Sequence, residues 1–200
     1  MNFDLKTFIE TVGYLGVFFI VFAESGLLIG FFLPGDSLLF TAGLLAAEGF
    51  FNLPVLIVLS VIAAVTGDSV GYAFGSKVGR KFFNKEDSLL FKREHLLKAE
   101  NFYERHGGKT IVLARFMPFI RTFAPIVAGI GRMRYSSFLI FNLLGGFLWA
   151  VGLPLLGFLL GKSIPDIDRY LLLIIGAIVI LSLVPSAWHL YREKRNRRQV

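Results

Sequence analysis

Cysteine is absent from the 200-residue chain, which excludes disulfides, thiolate nucleophiles and iron–sulfur ligation and leaves the redox compartment unreadable. Histidine is almost as scarce. His95, His106 and His189 are dispersed without ligand spacing to one another or to a carboxylate pair, so no metal or other cofactor is expected. No nucleophile–base pair is visible either, which makes an enzyme acting on lipid phosphate the least favoured function. Charge is thin as well: 18% of residues are Asp, Glu, Lys or Arg against 55% hydrophobic. The stretches Tyr135 to Gly161 and Tyr170 to Tyr191 carry no such charge at all, and both exceed the roughly 20 residues that cross a bilayer as a helix. A soluble domain of this length would carry more surface charge. The chain is therefore read as an integral membrane protein of several helices.

The net charge of +7 would suit nucleic acid, but the basic residues cluster beside apolar spans, where positive charge fixes orientation on the cytoplasmic side. No nucleic-acid partner is expected. Near the N-terminus Lys6 is flanked by Asp4 and Glu10, and the apolar run Gly13 to Ala23 ends at Glu24 without a small-x-small cleavage pattern. No removable signal peptide is expected.

Transmembrane helices are predicted over 53–76, 137–160 and 170–191. Between Glu24 and Asp36, and again between Asp36 and Glu48, lie only 11 uncharged residues, too few to cross about 30 Å at 1.5 Å per residue. Phe32-Leu33-Pro34-Gly35 lies between them as a helix breaker and turn, which predicts a re-entrant hairpin over 24–48 whose tip is shielded by protein or a wet cavity. Residues 111–134 repeat the pattern with Arg115, Pro118, Arg121 and Pro125, predicting a second hairpin. Phe32-x-Pro34 matches Phe116-x-Pro118, Ala42-Gly43 matches Ala128-Gly129, and 32 residues separate both Gly43 from Gly75 and Gly129 from Gly161. Interrupted segments at matching places in two halves point to a transporter built from a repeat, with its site where the broken segments meet.

Nine Lys or Arg fall between Lys77 and Lys109, and five between Arg192 and Arg198. Both the charged loop or helix 77–109 and the tail 192–200 are thus expected to be cytoplasmic. Hairpin 24–48 then opens outward and 111–134 inward. The expected fold is an all-α polytopic membrane protein, an inverted repeat with two opposed re-entrant hairpins plus transmembrane helices. Residues 1–23 form a membrane or interfacial helix, with either placement open. Gly67, Gly71, Gly75 and Gly79 make a flat stripe suited to close helix packing.

Glu24, Asp36, Arg115 and Arg121 interrupt the hairpin segments. Each charge at mid-bilayer costs roughly 2.5–3.5 kcal/mol, about 10–14 for four left unpaired and dry, so they must face one another or water. Simpler roles exist for each: Asp36 as an N-cap, Glu24 at the interface, and Arg115 and Arg121 snorkelling to headgroups. Six residues apart, the arginines would occupy different faces of a straight helix, but a break at Pro118 lets both enter one cavity. Their planar forks suit phosphate, and a carboxylate withdrawn from water exchanges its proton nearer neutrality. Asp68 is a secondary proton-site candidate, with hydrogen bonding inside the helix packing as the alternative. The set points to proton-coupled movement of an anion.

Phe22-Ala23-Glu24-Ser25-Gly26, Phe32-Leu33-Pro34-Gly35-Asp36, Gly67-Asp68-x-x-Gly71-Tyr72, Arg115-Phe116-x-Pro118-x-x-Arg121-Thr122 and Ala128-Gly129-x-x-x-Met133 resemble the DedA family of membrane proteins over about residues 12–165. The resemblance implies two opposed hairpins and dependence on the proton motive force. It also implies Glu24 and Asp36 as proton-coupling carboxylates and Arg115 and Arg121 as substrate ligands. Among such proteins are undecaprenyl-phosphate translocases and lipid scramblases, with other members linked to phospholipid balance, cation homeostasis or drug resistance. The expectation is a multi-pass protein of a bacterial inner membrane with a cytoplasmic C-terminus, moving an anionic lipid, a polyprenyl phosphate or phospholipid, with protons as partners. Homo-oligomerisation is left open. The rivals are a proton-coupled cation or drug antiporter and a non-transporting scaffold that recruits a partner through 77–109.

Overall fold

The computed structural model describes residues 5–27, 33–79 and 107–163. The tip of the first hairpin at 28–32, most of the charged loop, the helix expected at 170–191 and the tail 192–200 lie outside the described residues. Those described form helices joined by short turns: α1 (Leu5–Gly26), α2 (Gly35–Ala47), α3 (Leu53–Phe74) continued by a π-helical turn (Gly75–Gly79), α4 (Lys109–Arg115), α5 (Pro118–Ile130) and α6 (Tyr135–Ser163). No strand occurs among them. Two helices, Leu53–Val78 and Tyr135–Ser163, are long and apolar enough to cross a membrane. An all-α membrane protein follows, and these two helices correspond to the expected spans 53–76 and 137–160.

Sequence sets most helix ends. Asn52 caps α3, its side-chain oxygen accepting the N–H of Val55 at 3.2 Å. α2 closes on Gly49 in the left-handed region (φ 81°), with the N–H of Phe50 donating to the Leu45 carbonyl at 3.0 Å. Pro118 stands at the first turn of α5 behind an extended Met117, where a missing N–H costs nothing. Between α5 and α6 the chain turns through Gly131 and Arg132, the latter left-handed at φ 52°. α2 and α5 have 13 residues each, about 20 Å of helix, which is short of a bilayer.

Two places differ from expectation. α1 runs on through Glu24 to Gly26, so the boundary expected at 23/24 falls inside one helix. Asp36 is not the N-cap of α2: Pro34 holds that position and makes no side-chain cap bond, while Asp36 sits in the first turn. There its charge complements the positive helix end.

The chain forms two compact units, one of residues 1–33 and 57–152 and one of 34–56 and 153–200. In the first, Ile111 and Ala114 of α4, Ala124 and Ala128 of α5 and Phe138 of α6 make a buried cluster, flanked by Tyr72, Val127, Met133 and Phe141. Tyr72 stacks on Phe138 with centroids 4.7 Å apart, and its hydroxyl donates to the Met133 carbonyl beyond the end of α5. The glycine stripe works as packing surface here. A Cβ at Gly67 would meet the Phe22 carbonyl of α1, and one at Gly75 the Ile126 carbonyl of α5. Gly129 lies against the Tyr72 carbonyl in the same way.

In the second unit, α2 packs on the last turns of α6. Gly43 lies against the Pro154 carbonyl, Gly157 against that of Phe40, and Gly161 against Ala47. Backbone approaches this close require glycine on at least one side. Each unit thus pairs a 13-residue helix with the glycine-bearing end of a long one.

Candidate functional site

The site lies wholly in the first unit and is assembled by glycine contacts. At the crossing of α1 and α3, a Cβ on Gly26 would collide with the Gly67 backbone. Because the two main chains touch there, Glu24 and Ser25 on one helix and Asp68 on the other are buried at the same crossing; they are 3%, 7% and 4% exposed. α5 packs against α1 and against the π turn after α3.

Arg115 is the last residue of α4, where a cation suits the negative helix end. Its side chain is 4% exposed. An Nη2 hydrogen donates to Asp68 in a buried ion pair, and the same nitrogen lies 2.8 Å from the amide oxygen of Asn142. Asn142, fully buried on α6, donates in turn to the Val65 carbonyl at 3.2 Å. Arg121, in the second turn of α5, pairs with Glu24 through Nη2. The other carboxylate oxygen of Glu24 and the Thr122 hydroxyl are buried without a hydrogen-bond partner, an uncommon condition for buried polar atoms.

Both guanidiniums lie over one indole: Trp149 of α6 has Arg121 Cζ 5.0 Å and Arg115 Cζ 5.8 Å from its ring centroid, within cation–π range. Ser25, Asp68, Arg115, Arg121 and Trp149 line a single small cavity of about 10 Å³, at the lower limit for one water molecule. The break between α4 and α5 thus brings both arginines to one cavity, as the sequence predicted.

The pairing of carboxylates was not predicted. Glu24 serves Arg121, while Asp68, rated secondary from sequence, neutralises Arg115. Asp36 belongs to the second unit and is half-buried. Sequence reasoning also passed over Asn142 and Trp149. They were detectable: Asn142, Gly145, Gly146 and Trp149 follow i, i+3, i+4, i+7 spacing, one face of a helix, and a lone amide in an otherwise apolar span is a polar contact awaiting a partner.

Chemically the arrangement is a pair of phosphate-competent forks, each held by a carboxylate in a space too small for a phosphate group.

Residues 33–159 match the VTT domain family model. The chain is 45% identical over 184 residues to protein DedA of Escherichia coli K12, covering 91% of this chain and 84% of that protein. It is 44% identical over 178 residues to an uncharacterised membrane protein of Mycobacterium leprae, covering 88% and 79%. With the inner membrane protein YqjA of Escherichia coli K12 it shares 32% identity over 192 residues, covering 92% and 87%. No solved structure matches the chain.

Proposed function

As the chain belongs to the DedA family of VTT-domain membrane proteins, we propose that it moves the phosphate-bearing headgroup of an anionic lipid, undecaprenyl phosphate or a related lipid, across a bacterial inner membrane together with protons. The observation that carries this reading is that Arg115 and Arg121 line one cavity while each is neutralised by its own buried carboxylate. Protonation of Glu24 removes the charge that holds Arg121, and a phosphate then takes the place of the carboxylate on the guanidinium. Loss of the proton on the other side restores the ion pair and expels the headgroup. Cargo and proton are linked because the phosphate and the deprotonated carboxylate compete for the same arginine, and the site responds only to as much differential affinity as that competition supplies.

The geometry described is the closed state of this cycle. Asp68 gives Arg115 the same exchangeable partner, and Asp36, in the first turn of α2, is assigned the corresponding proton step in the second unit. Two opposed hairpins related by an inverted repeat supply the alternating access. This part of the reading is supported by the parallel between Gly43 on α6 and Gly129 on α3, each at a backbone contact of a 13-residue helix with a long one. The cytoplasmic side is assigned to the C-terminus on the strength of its basic tail.

The test places purified protein in proteoliposomes carrying labelled undecaprenyl phosphate, with and without a pH gradient. Wild type is expected to move the headgroup faster with the gradient, and Arg121→Glu to abolish movement while inserting and folding normally. Retained movement in Arg121→Glu overturns the role of the arginine. If wild type moves a cationic dye instead of the lipid, the cargo belongs to the carboxylates and the protein is a cation antiporter.

A further inference from the structure

We propose that Trp149 is the positioning residue of the two-arginine site: its indole keeps the guanidiniums of Arg115 and Arg121 together when their carboxylates are displaced. The inference rests on the reading of the arginines as headgroup ligands and adds to it an aromatic residue within reach of both guanidiniums.

Two cations buried in one cavity repel once their counter-ions are withdrawn. Hydrogen bonds to Asp68 and Glu24 cannot hold them then, because those are the bonds that must open for cargo to enter. What remains on α6 is a surface shaped to the pair. Gly145 and Gly146 border the Arg115 side chain: a Cβ on Gly146 would stand at ordinary contact distance, 3.5 Å, from Nη1, and one on Gly145 the same distance from Cδ. Asn142 holds Nη2. One turn beyond, Trp149 is 5% exposed and carries both guanidiniums over its ring. An aromatic face attracts a cation without a formal charge of its own. It therefore holds the arginines without competing with a phosphate for their hydrogen-bond donors, which a third carboxylate would do.

The chain has two tryptophans, Trp149 and Trp188, so Trp188→Phe leaves Trp149 as the sole emitter in the full-length protein. In lipid–detergent micelles, dodecyl phosphate is expected to change Trp149 emission saturably. The same mole fraction of dodecyltrimethylammonium is expected to leave it unchanged, and Arg121→Gln to remove the phosphate response. In proteoliposomes, Trp149→Phe, which keeps an aromatic face, should hold the KM for undecaprenyl phosphate within about threefold, whereas Trp149→Leu should raise it about tenfold with a smaller change in kcat. Equal KM values for the Phe and Leu variants overturn the positioning role, as does a silent Trp149 in a protein that still moves the lipid; both leave the transport reading standing. An emission response specific to dodecyl phosphate, lost in Arg121→Gln, in a protein that moves no lipid supports the two-arginine phosphate site and overturns transport instead. Absence of both response and transport overturns the two together.

Discussion

Arg121 donates to one oxygen of Glu24 across the 97 residues that separate them in sequence, and the other oxygen of that carboxylate is buried with no partner. The pair is thus incompletely satisfied. A buried ion pair with a spare acceptor is poorly explained as a device for stability, since such pairs roughly break even against apolar packing. Removing one member is a different matter, because it leaves an uncompensated charge. Arg121→Ala and Glu24→Ala are each expected to cost about 3–5 kcal/mol of stability, and the double substitution less than the sum. Unfolding in mixed micelles, run as a double-mutant cycle, reads the coupling; additive losses would show that the two side chains do not depend on each other.

Arg115 makes the second prediction separable from the first. It pairs with Asp68 and Asn142, whereas Glu24 pairs with Arg121. Asp68→Asn keeps the shape and removes the charge, so it is expected to impair lipid movement about as severely as Glu24→Gln. If Asp68 merely braced α3 against a neighbour by hydrogen bonding, the Asn variant would move lipid at the wild-type rate in the proteoliposome assay.

Depth and chain breaks were legible in the sequence, and contact partners were not. Glu24, Arg115 and Arg121 stand out because they interrupt apolar runs, and Pro118 showed that both arginines were free to enter one cavity. The short helices α2 and α5 follow from the spacing of Asp36, Glu48 and the prolines. Which carboxylate meets which arginine depends instead on the face of α3 that α4 and α6 cover, a tertiary property to which periodicity is blind. The contact of Asp68 with Arg115 was therefore not foreseen. Trp149 and Asn142 were hidden for a related reason: in an apolar span, a tryptophan and a single amide read as ordinary membrane residues until the guanidiniums are placed beside them.

Asn142 supplies the third prediction. It accepts from Arg115 and donates to the Val65 carbonyl; in Asn142→Ala the guanidinium keeps Asp68 and the carbonyl keeps the Ser69 hydroxyl. The expected loss is about 1–3 kcal/mol, that of hydrogen bonds removed, one of them to a charged group, rather than of groups left without any partner. Asn142→Gln keeps both functions on a longer stem and overfills the site, which should cost about 1–3 kcal/mol. Thermal unfolding of the two variants beside wild type checks both losses, and a neutral Asn142→Ala would mean that water replaces the amide.

Glycine substitutions offer the sharpest contrast between packing and tolerance. At Gly75 a Cβ would run into the Ile126 carbonyl, a backbone atom that cannot step aside without moving α5. Since α5 carries Arg121, Gly75→Ala is expected to lower both stability, by about 1–3 kcal/mol as for other overpacked sites, and lipid movement. At Gly16 of α1 a Cβ meets nothing within 4 Å among the described residues, so Gly16→Ala should be neutral or favourable by up to about 1 kcal/mol through helix propensity. Gly146 lies between these cases: its Cβ would stand 3.1 Å from a Val65 methyl, the end of a side chain that has some room to adjust. Gly146→Ala should therefore fold, and since its Cβ would stand only at ordinary contact distance, 3.5 Å, from Arg115 Nη1, the KM for the anionic lipid should change far less than transport does in Gly75→Ala. Measuring stability and transport on all three variants separates a glycine that admits a neighbouring backbone from one that only borders side chains. Equal losses at Gly16 and Gly75 would show that helix flexibility, and not the α3–α5 contact, is what these glycines provide.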